Sequence, residues 1–247
     1  MERRDRPSVA TFYADHPLTS GTHVELDEGA TQHVHVRRLQ EGDRLRVING
    51  RGTVADGALE RLTKKTAIAT LDAVRNVPAQ PPLRLFVPVA DRERMLWLAE
   101  KCAELQVTQW QPVLFQRSMS VSPRGQGEAF VRKARARMIA ALEQSGGAWL
   151  PELCDELTLD GALVRAAALD GERFFLDRDG RPLVTSRPRA AAVLLGPEGG
   201  VSIEERMLIV ERHGWLPVSL GETTLRFETA GVVAAGMLRA LLVTGGR

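Results

Sequence analysis

Ala192-Val-Leu-Leu-Gly-Pro-Glu-Gly-Gly200 runs from an apolar stretch into a loop of three glycines and one proline, and Ser202 opens a helix two residues later. In an open α/β sheet such a loop lies outside the carboxyl end of its strand, where ligands bind. Glycine lets a ligand touch the backbone, and the free amides of the next helix start supply donors. The loop has neither the G-K-[ST] of a phosphate loop nor the G-x-G-x-x-G of a dinucleotide fold. By itself it fits a tight strand-to-helix turn equally well.

A second stretch of the same kind follows some twenty residues later: Val218-Ser-Leu-Gly-Glu-Thr-Thr-Leu-Arg-Phe-Glu-Thr-Ala230. A strand leads into Gly221, and after a short turn a helix opens near Glu228. That helix is rich in small apolar residues from Ala230 to Gly236, which suits close packing. Arg226 stands just before it, with a guanidinium fork suited to phosphate or carboxylate. The plain alternative for Arg226 is a surface ion pair with Glu222 or Glu228.

Around these loops strands and helices alternate. Leu83–Val89, Trp110–Phe115, Phe174–Leu176, Ala192–Leu195 and Leu216–Leu220 read as buried strands. Arg92–Leu105 reads as a helix with Met95, Leu98, Ala99, Cys102 and Leu105 on one face. Glu128–Ser145 reads as another, with Val131, Ala134, Met138 and Leu142 in a stripe. Ser202–Arg212 carries a capping box, Ser202 with Glu205, and Gly214 as its stop. The expectation is an α/β domain with a mostly parallel sheet covered on both faces.

Before residue 77 the texture differs. Thr22–Leu26, Arg44–Ile48, Gly52–Leu59 and Thr66–Leu71 are short apolar segments between turn signals, which predicts a small β-barrel or sandwich. Asn49-Gly50 predicts a two-residue hairpin turn. His33 and His35 are placed one pleat apart on a strand. Asn76-Val-Pro-Ala-Gln-Pro-Pro82 holds three prolines in seven residues and marks a boundary. The predicted organisation is therefore 1–76, a linker at 77–82, and 83–247.

Composition excludes little beyond wholesale disorder. Hydrophobic residues make up 44% and charged residues 26%, and the formal net charge is +2. Cys102 and Cys154 form no C-x-x-C pair, so no cysteine-rich metal site or disulfide framework is expected, and two unpaired thiols suit the cytoplasm. The polar stretch Met1-Glu-Arg-Arg-Asp-Arg-Pro7 has no apolar run of a signal peptide. The longest apolar run, Ala230 to Val243, carries Arg239 and is too short to span a bilayer. Charge concentrates locally: from Arg117 to Arg137 stand Arg117, Arg124, Arg132, Lys133, Arg135 and Arg137 against Glu128 alone. Such a patch suits RNA phosphates, and a solvated helix face is the plain alternative. His33 and His35 have no third ligand at metal spacing, so no metal site is expected. Trp97, Trp110, Trp149 and Trp215 read as core or interface rather than stacking platforms.

Gly196-Pro-Glu-Gly-Gly200 followed by Leu220-Gly-Glu-Thr-Thr-Leu-Arg-Phe-Glu-Thr-Ala230 resembles the SPOUT methyltransferases, and within them the ribosomal RNA small subunit methyltransferase E family. The resemblance spans nearly the whole chain. It extends to Gln32-His-Val-His-Val-Arg-Arg-Leu-Gln-Glu-Gly-Asp43, Glu100-Lys101, Glu104-Leu105, Arg117-Ser118 and Glu143-Gln-Ser145. Departures from the family pattern are Thr11, Gln32, Gln106, Gln116 and the pair Gly146-Gly147, most of them at expected RNA contacts. The resemblance implies a C-terminal trefoil-knotted α/β domain and an N-terminal PUA-like RNA-binding β-barrel.

It further implies an enzyme that methylates the N3 atom of one uridine in 16S ribosomal RNA with S-adenosylmethionine, either on the RNA or on the assembled small subunit, as a cytoplasmic homodimer. Leu176, Leu195, Gly196, Gly199, Gly200, Ser219, Leu220, Gly221 and Leu225 would hold the cofactor. His33, Arg38, Arg117, Arg132 and Lys133 would contact RNA. Arg226 would steady the base or its phosphate as the catalytic residue, with Glu198 or Glu228 as possible proton acceptors. A ribose 2′-O methyltransferase of the same superfamily and a non-catalytic RNA-binding or assembly protein are the rivals. Intact glycines in both loops argue against the second.

Overall fold

The computed structural model describes residues 9–120, 123–183 and 188–243. The polar first seven residues lie outside it. The chain divides into two compact units, 1–79 with 142–150, and 80–141 with 151–247. The inclusion of 142–150 in the first unit is not visible in the sequence, because the end of one continuous helix carries it.

The first unit is built on a five-stranded sheet in the order β1 (Ala10–Tyr13), β3 (Arg44–Ile48), β4 (Thr53–Leu62), β5 (Ala67–Asn76), β2 (His23–Leu26). β1 and β3 run parallel and the other pairs antiparallel. The sheet is mixed, with β1 and β2 at the ends of the strand order, and forms the small β unit that the sequence predicts. Register shifts at Asp56/Gly57 and Leu59/Arg61 bend β4. At Gly57 a Cβ would lie 2.2 Å from the Thr70 carbonyl oxygen, so the bend requires glycine there. Phe12, Leu45, Val47, Ala55, Leu59 and Leu71 form the core.

The expected hairpin at Asn49-Gly50 is a longer connection. Gly50 and Gly52 take positive φ, while the Asn49 side-chain oxygen accepts from the backbone N–H of Arg51 and Thr53. The segment after β2 is α1 (Glu28–Val36), capped by Asp27. His33 and His35 therefore sit on a helix, which corrects the strand reading. The alternation at His33-Val-His-Val36 imitates a strand, but the Asp27 cap and the helix it starts override it.

The second unit carries a seven-stranded parallel sheet in the order β12 (Leu216–Ser219), β10 (Glu172–Pro182), β11 (Ala191–Leu194), β6 (Leu83–Pro88), β7 (Gln109–Leu114), β8 (Glu152–Leu153), with β9 (Leu157–Thr158) also on β7. α2 (Arg92–Glu104) packs on α6 (Phe227–Val243), and α6 lies on β6 and β11. On the other face Ala192 and Leu194 join Phe86, Phe175, Ala162 and Leu163 of α4 (Leu159–Ala167), and Trp215. Strand alternation is what lets β11 serve both layers.

α3 spans Glu128–Ser145 as expected, but Val131 is 43% exposed and Phe130 takes its place in the buried stripe. The predicted helix at 202–212 is split into α5 (Ile203–Met207) and one π-turn, Leu208–Arg212. The capping box between Ser202 and Glu205 is formed. Trp110 and Trp215 are fully buried, whereas Trp97 and Trp149 keep about two-fifths of their surface. Two helices end in Schellman turns whose left-handed residue is not glycine: Arg38 after α1 and Gln106 after α2, with φ of 55° and 56°.

Candidate functional site

A bulge inside β10 and the loops that follow β11 and β12 meet around one cavity of about 550 Å³. That is within the range of small-molecule sites, roughly 300–1,000 Å³. Leu195 and Gly196 lie at the end of β11, Leu176 within β10, and Ser219, Leu220, Gly221 and Leu225 after β12. Gly200 and Arg226 also face the cavity. Gly199 does not: its carbonyl oxygen accepts from Arg117 on the loop's outer side, at 2.9 Å.

Each loop has a local cause. Gly200 takes a φ of 73° and its N–H closes a turn onto the Pro197 carbonyl at 2.9 Å. Gly221 takes a φ of 143°, and the Ser219 hydroxyl bonds its carbonyl at 2.8 Å, fixing the bend after β12. In β10 the pairing with β12 stops at Leu176 and resumes at Arg181, so Asp177–Gly180 bulge toward the cavity. Gly180 permits this, because a Cβ there would lie 2.5 Å from the Val218 nitrogen. Asp177 Oδ2 then accepts from Arg206 Nε at 3.0 Å, and both residues line the wall. The sequence reading missed Asp177 and Arg206. The signal for Asp177 was a polar residue directly after the apolar run 174–176, whereas Arg206, within α5, carried none.

The lining fits a mixed ligand. Phe175, Leu176, Leu195, Val218 and Leu225 offer apolar surface, while exposed backbone and Arg226 supply polar contacts. A Cβ at Gly196 would meet only Val201 Cγ2 within 4 Å, at 3.2 Å, so a larger side chain there would intrude on open space. Among the described residues no group of histidine, cysteine and acidic side chains could hold a metal ion.

Charges around the cavity are unequally engaged. Arg226 is exposed and has no side-chain partner among the described residues, so the ion pair with Glu222 or Glu228 is not formed. Glu198 pairs with Arg94, a residue the sequence reading did not single out. Glu228 is buried, with Oε1 4.0 Å from Arg94 Nε and Oε2 unpartnered.

None of the residues expected to contact RNA is among those lining the cavity. Arg117 reaches the Gly199 carbonyl. On α3, Arg132 stands 3.6 Å from Glu128, and Lys133 and Arg137 pair with Glu93 and Glu100 of α2. These pairs are exposed and worth little, so a phosphate can displace them. Arg38 is exposed with no side-chain partner among the described residues. His33 is engaged within its own unit: Nε2 accepts from Arg37 Nε at 3.1 Å, and the ring packs edge-on against Phe12. Burial, then the Arg37 charge, pulls its pKa below the ordinary histidine value. Glu143 accepts from the Tyr13 N–H at 2.7 Å, and burial raises its pKa despite that bond.

Residues 78–239 match the family model described as an RNA methyltransferase domain. The chain belongs to that family. Residues 26–72 match a second model, an RNA methyltransferase PUA domain, which accounts for the mixed sheet of the first unit. A ribosomal RNA small subunit methyltransferase E of Synechocystis sp. is 29% identical over 216 residues, 84% of this chain and 69% of the relative. A methyltransferase of Legionella pneumophila, solved with bound S-adenosylmethionine, is 28% identical with a TM-score of 0.82, covering 94% of this chain and 97% of its own. A ribosomal RNA small subunit methyltransferase E of Neisseria gonorrhoeae has a TM-score of 0.83 at 24% identity, covering 94% and 98%, and speaks for the fold. In this methyltransferase the glycine loops of β11 and β12 are thus parts of one family domain.

Proposed function

We propose that the protein transfers a methyl group from S-adenosylmethionine to the N3 atom of a uridine in the 16S RNA of the small ribosomal subunit. The observation that carries this is the meeting of three segments, each about twenty residues from the next, on one cavity lined by glycine backbone and apolar side chains beside an arginine with no side-chain partner among the described residues. The names of the relatives supply the RNA class. A trefoil knot goes with this reading. β12 pairs with β10 on the side away from β11, so the connection from β11 to β12 passes over β10.

Leu176, Leu195, Gly196, Gly200, Ser219, Leu220, Gly221 and Leu225 hold the cofactor, with Gly199 supporting the loop from outside. The bound cofactor supplies an electrophilic methyl on sulfonium. The chain's part is to hold a poor nucleophile in line, and positioning alone is worth roughly 7–11 kcal/mol in favourable cases. N3 lies on the pairing edge, so the uridine enters unpaired. Arg226, fully donating and unengaged, stabilises charge as N3 loses its proton. Arg38, Arg117, Arg132, Lys133 and the His33 segment contribute to RNA contact.

The enzyme works as a cytoplasmic homodimer. Light scattering tests the dimer. The decisive test of the cavity is titration with S-adenosylmethionine. The wild type binds one equivalent per chain, and Gly196→Val abolishes binding while the fold persists. Retained affinity in that variant places the ligand elsewhere.

A further inference from the structure

The loop at residues 196–200 is held by two arginines that come from other parts of the unit. Arg94, in the first turn of α2, donates through Nη1 to Oε1 of Glu198. Its Nε lies 4.0 Å from Glu228 at the start of α6. Glu228 is buried, so a carboxylate stands behind the guanidinium and keeps it in reach of Glu198. Arg117, in the 3₁₀ turn Gln116–Ser120 after β7, donates to the Gly199 carbonyl at 2.9 Å.

That turn is itself anchored. The Gln116 N–H donates to Oε1 of Glu205 at 2.8 Å, and Oε2 of the same buried carboxylate accepts from Ser202 N–H at 2.9 Å. Gly199 leaves room for the arrangement, because a Cβ there would lie 3.0 Å from Arg117 Cβ. A methyl group at position 199 would press on Arg117, and Gly199 is not among the residues that line the cavity.

We propose that Arg94 and Arg117 are positioning residues that clamp the 196–200 loop from outside in the shape that binds the cofactor, with no RNA required. The proposal rests on the cofactor reading given above. Three glycines in five residues leave an unclamped loop many backbone shapes, and a ligand would have to select one. A planar guanidinium with several donors suits both attachments, one to a carboxylate and one to a backbone carbonyl.

The experiment is calorimetric titration of S-adenosylmethionine, without RNA, into the wild type, Arg94→Ala, Arg117→Ala, Arg117→Lys, Gly199→Ala, and the Arg117→Ala/Gly199→Ala pair. Each of the first two alanine variants weakens binding about tenfold, which corresponds to about 1.4 kcal/mol. Arg117→Lys recovers part of the loss. Gly199→Ala reproduces Arg117→Ala, and the pair is no worse than either alone, as expected of two changes to one contact. Melting temperatures stay near that of the wild type.

Unchanged cofactor affinity in both arginine-to-alanine variants overturns the clamp. So does a loss matched by a general fall in melting temperature. If Arg117→Ala weakens RNA binding but not cofactor binding, Arg117 is an RNA contact and the clamp fails. A wild type that binds no S-adenosylmethionine brings down the cofactor reading and the clamp together, whereas normal binding by every variant brings down the clamp alone.

Discussion

The two ends of α6 each carry an arginine, and the two have opposite fates. Arg226 precedes the first turn, is exposed on the cavity wall, and has no side-chain partner among the described residues. Arg239, near the other end, is buried. It donates from Nη1 to the Pro81 carbonyl at 2.9 Å and from Nη2 to the Gln106 carbonyl at 2.5 Å. With no carboxylate in contact, burial pulls its pKa down to about 10. One guanidinium ties α6 to the start of β6 and the end of α2. The other has all its donors free beside glycine loops. Arg239 spends both terminal nitrogens on the fold, although its buried Nε has no partner, whereas an arginine left unused at a cavity is free to serve a ligand.

Four substitutions would break or sharpen that contrast. Arg226→Ala should lower the rate of methyl transfer about 100-fold to 1,000-fold, the range for removing one donor from developing negative charge. Denaturant melting should move by no more than about 0.5 kcal/mol. Normal turnover would leave Arg226 without a chemical role. Arg239→Ala should do the reverse. Two part-buried carbonyls lose charged donors, so stability should fall by about 2–3 kcal/mol while the folded fraction keeps its turnover. A stable but inactive Arg239→Ala protein would dissolve the distinction.

The smaller effects concern the two left-handed residues that end α1 and α2. Arg38→Gly should stabilise the first unit by about 0.5–1 kcal/mol, by relieving a conformation glycine tolerates best. The same change should weaken RNA binding several-fold and flatten its salt dependence by about one phosphate contact. A gain in stability with RNA affinity intact would mean that Arg38 is only strained. Gln106→Gly should gain about 0.5 kcal/mol in denaturant melting and leave cofactor affinity and turnover untouched, since the carbonyl that Arg239 binds belongs to the backbone. A loss of stability would show that the Gln106 side chain contributes more than the strain costs.

Much of the second unit was legible in the sequence, because several of its strands are apolar runs, two of them leading into glycine loops at Gly196 and Gly221. Ser202 with Glu205 is the clearest case: a local signal that the structure forms as written. What escaped depends on contacts between distant residues. Arg94 looks like any charged residue in a helix's first turn, and only the meeting of α2 with the 196–200 loop pairs it with Glu198. Gly199 looks like its neighbours 196 and 200, and Arg117 alone separates it from them. In the first unit α1 was read as a strand, because alternating histidine and valine imitate a pleat. The departure at Gln106 now has a structural meaning: it occupies a position where glycine would fit without strain.

The most direct test is methyl transfer from labelled S-adenosylmethionine to small-subunit ribosomal RNA, followed by mapping and mass analysis of the product nucleotide. The account predicts one methyl per RNA, on the base of a single uridine at N3, and its loss in Gly196→Val. Label on a ribose 2′-oxygen, or none with an intact substrate, would contradict it.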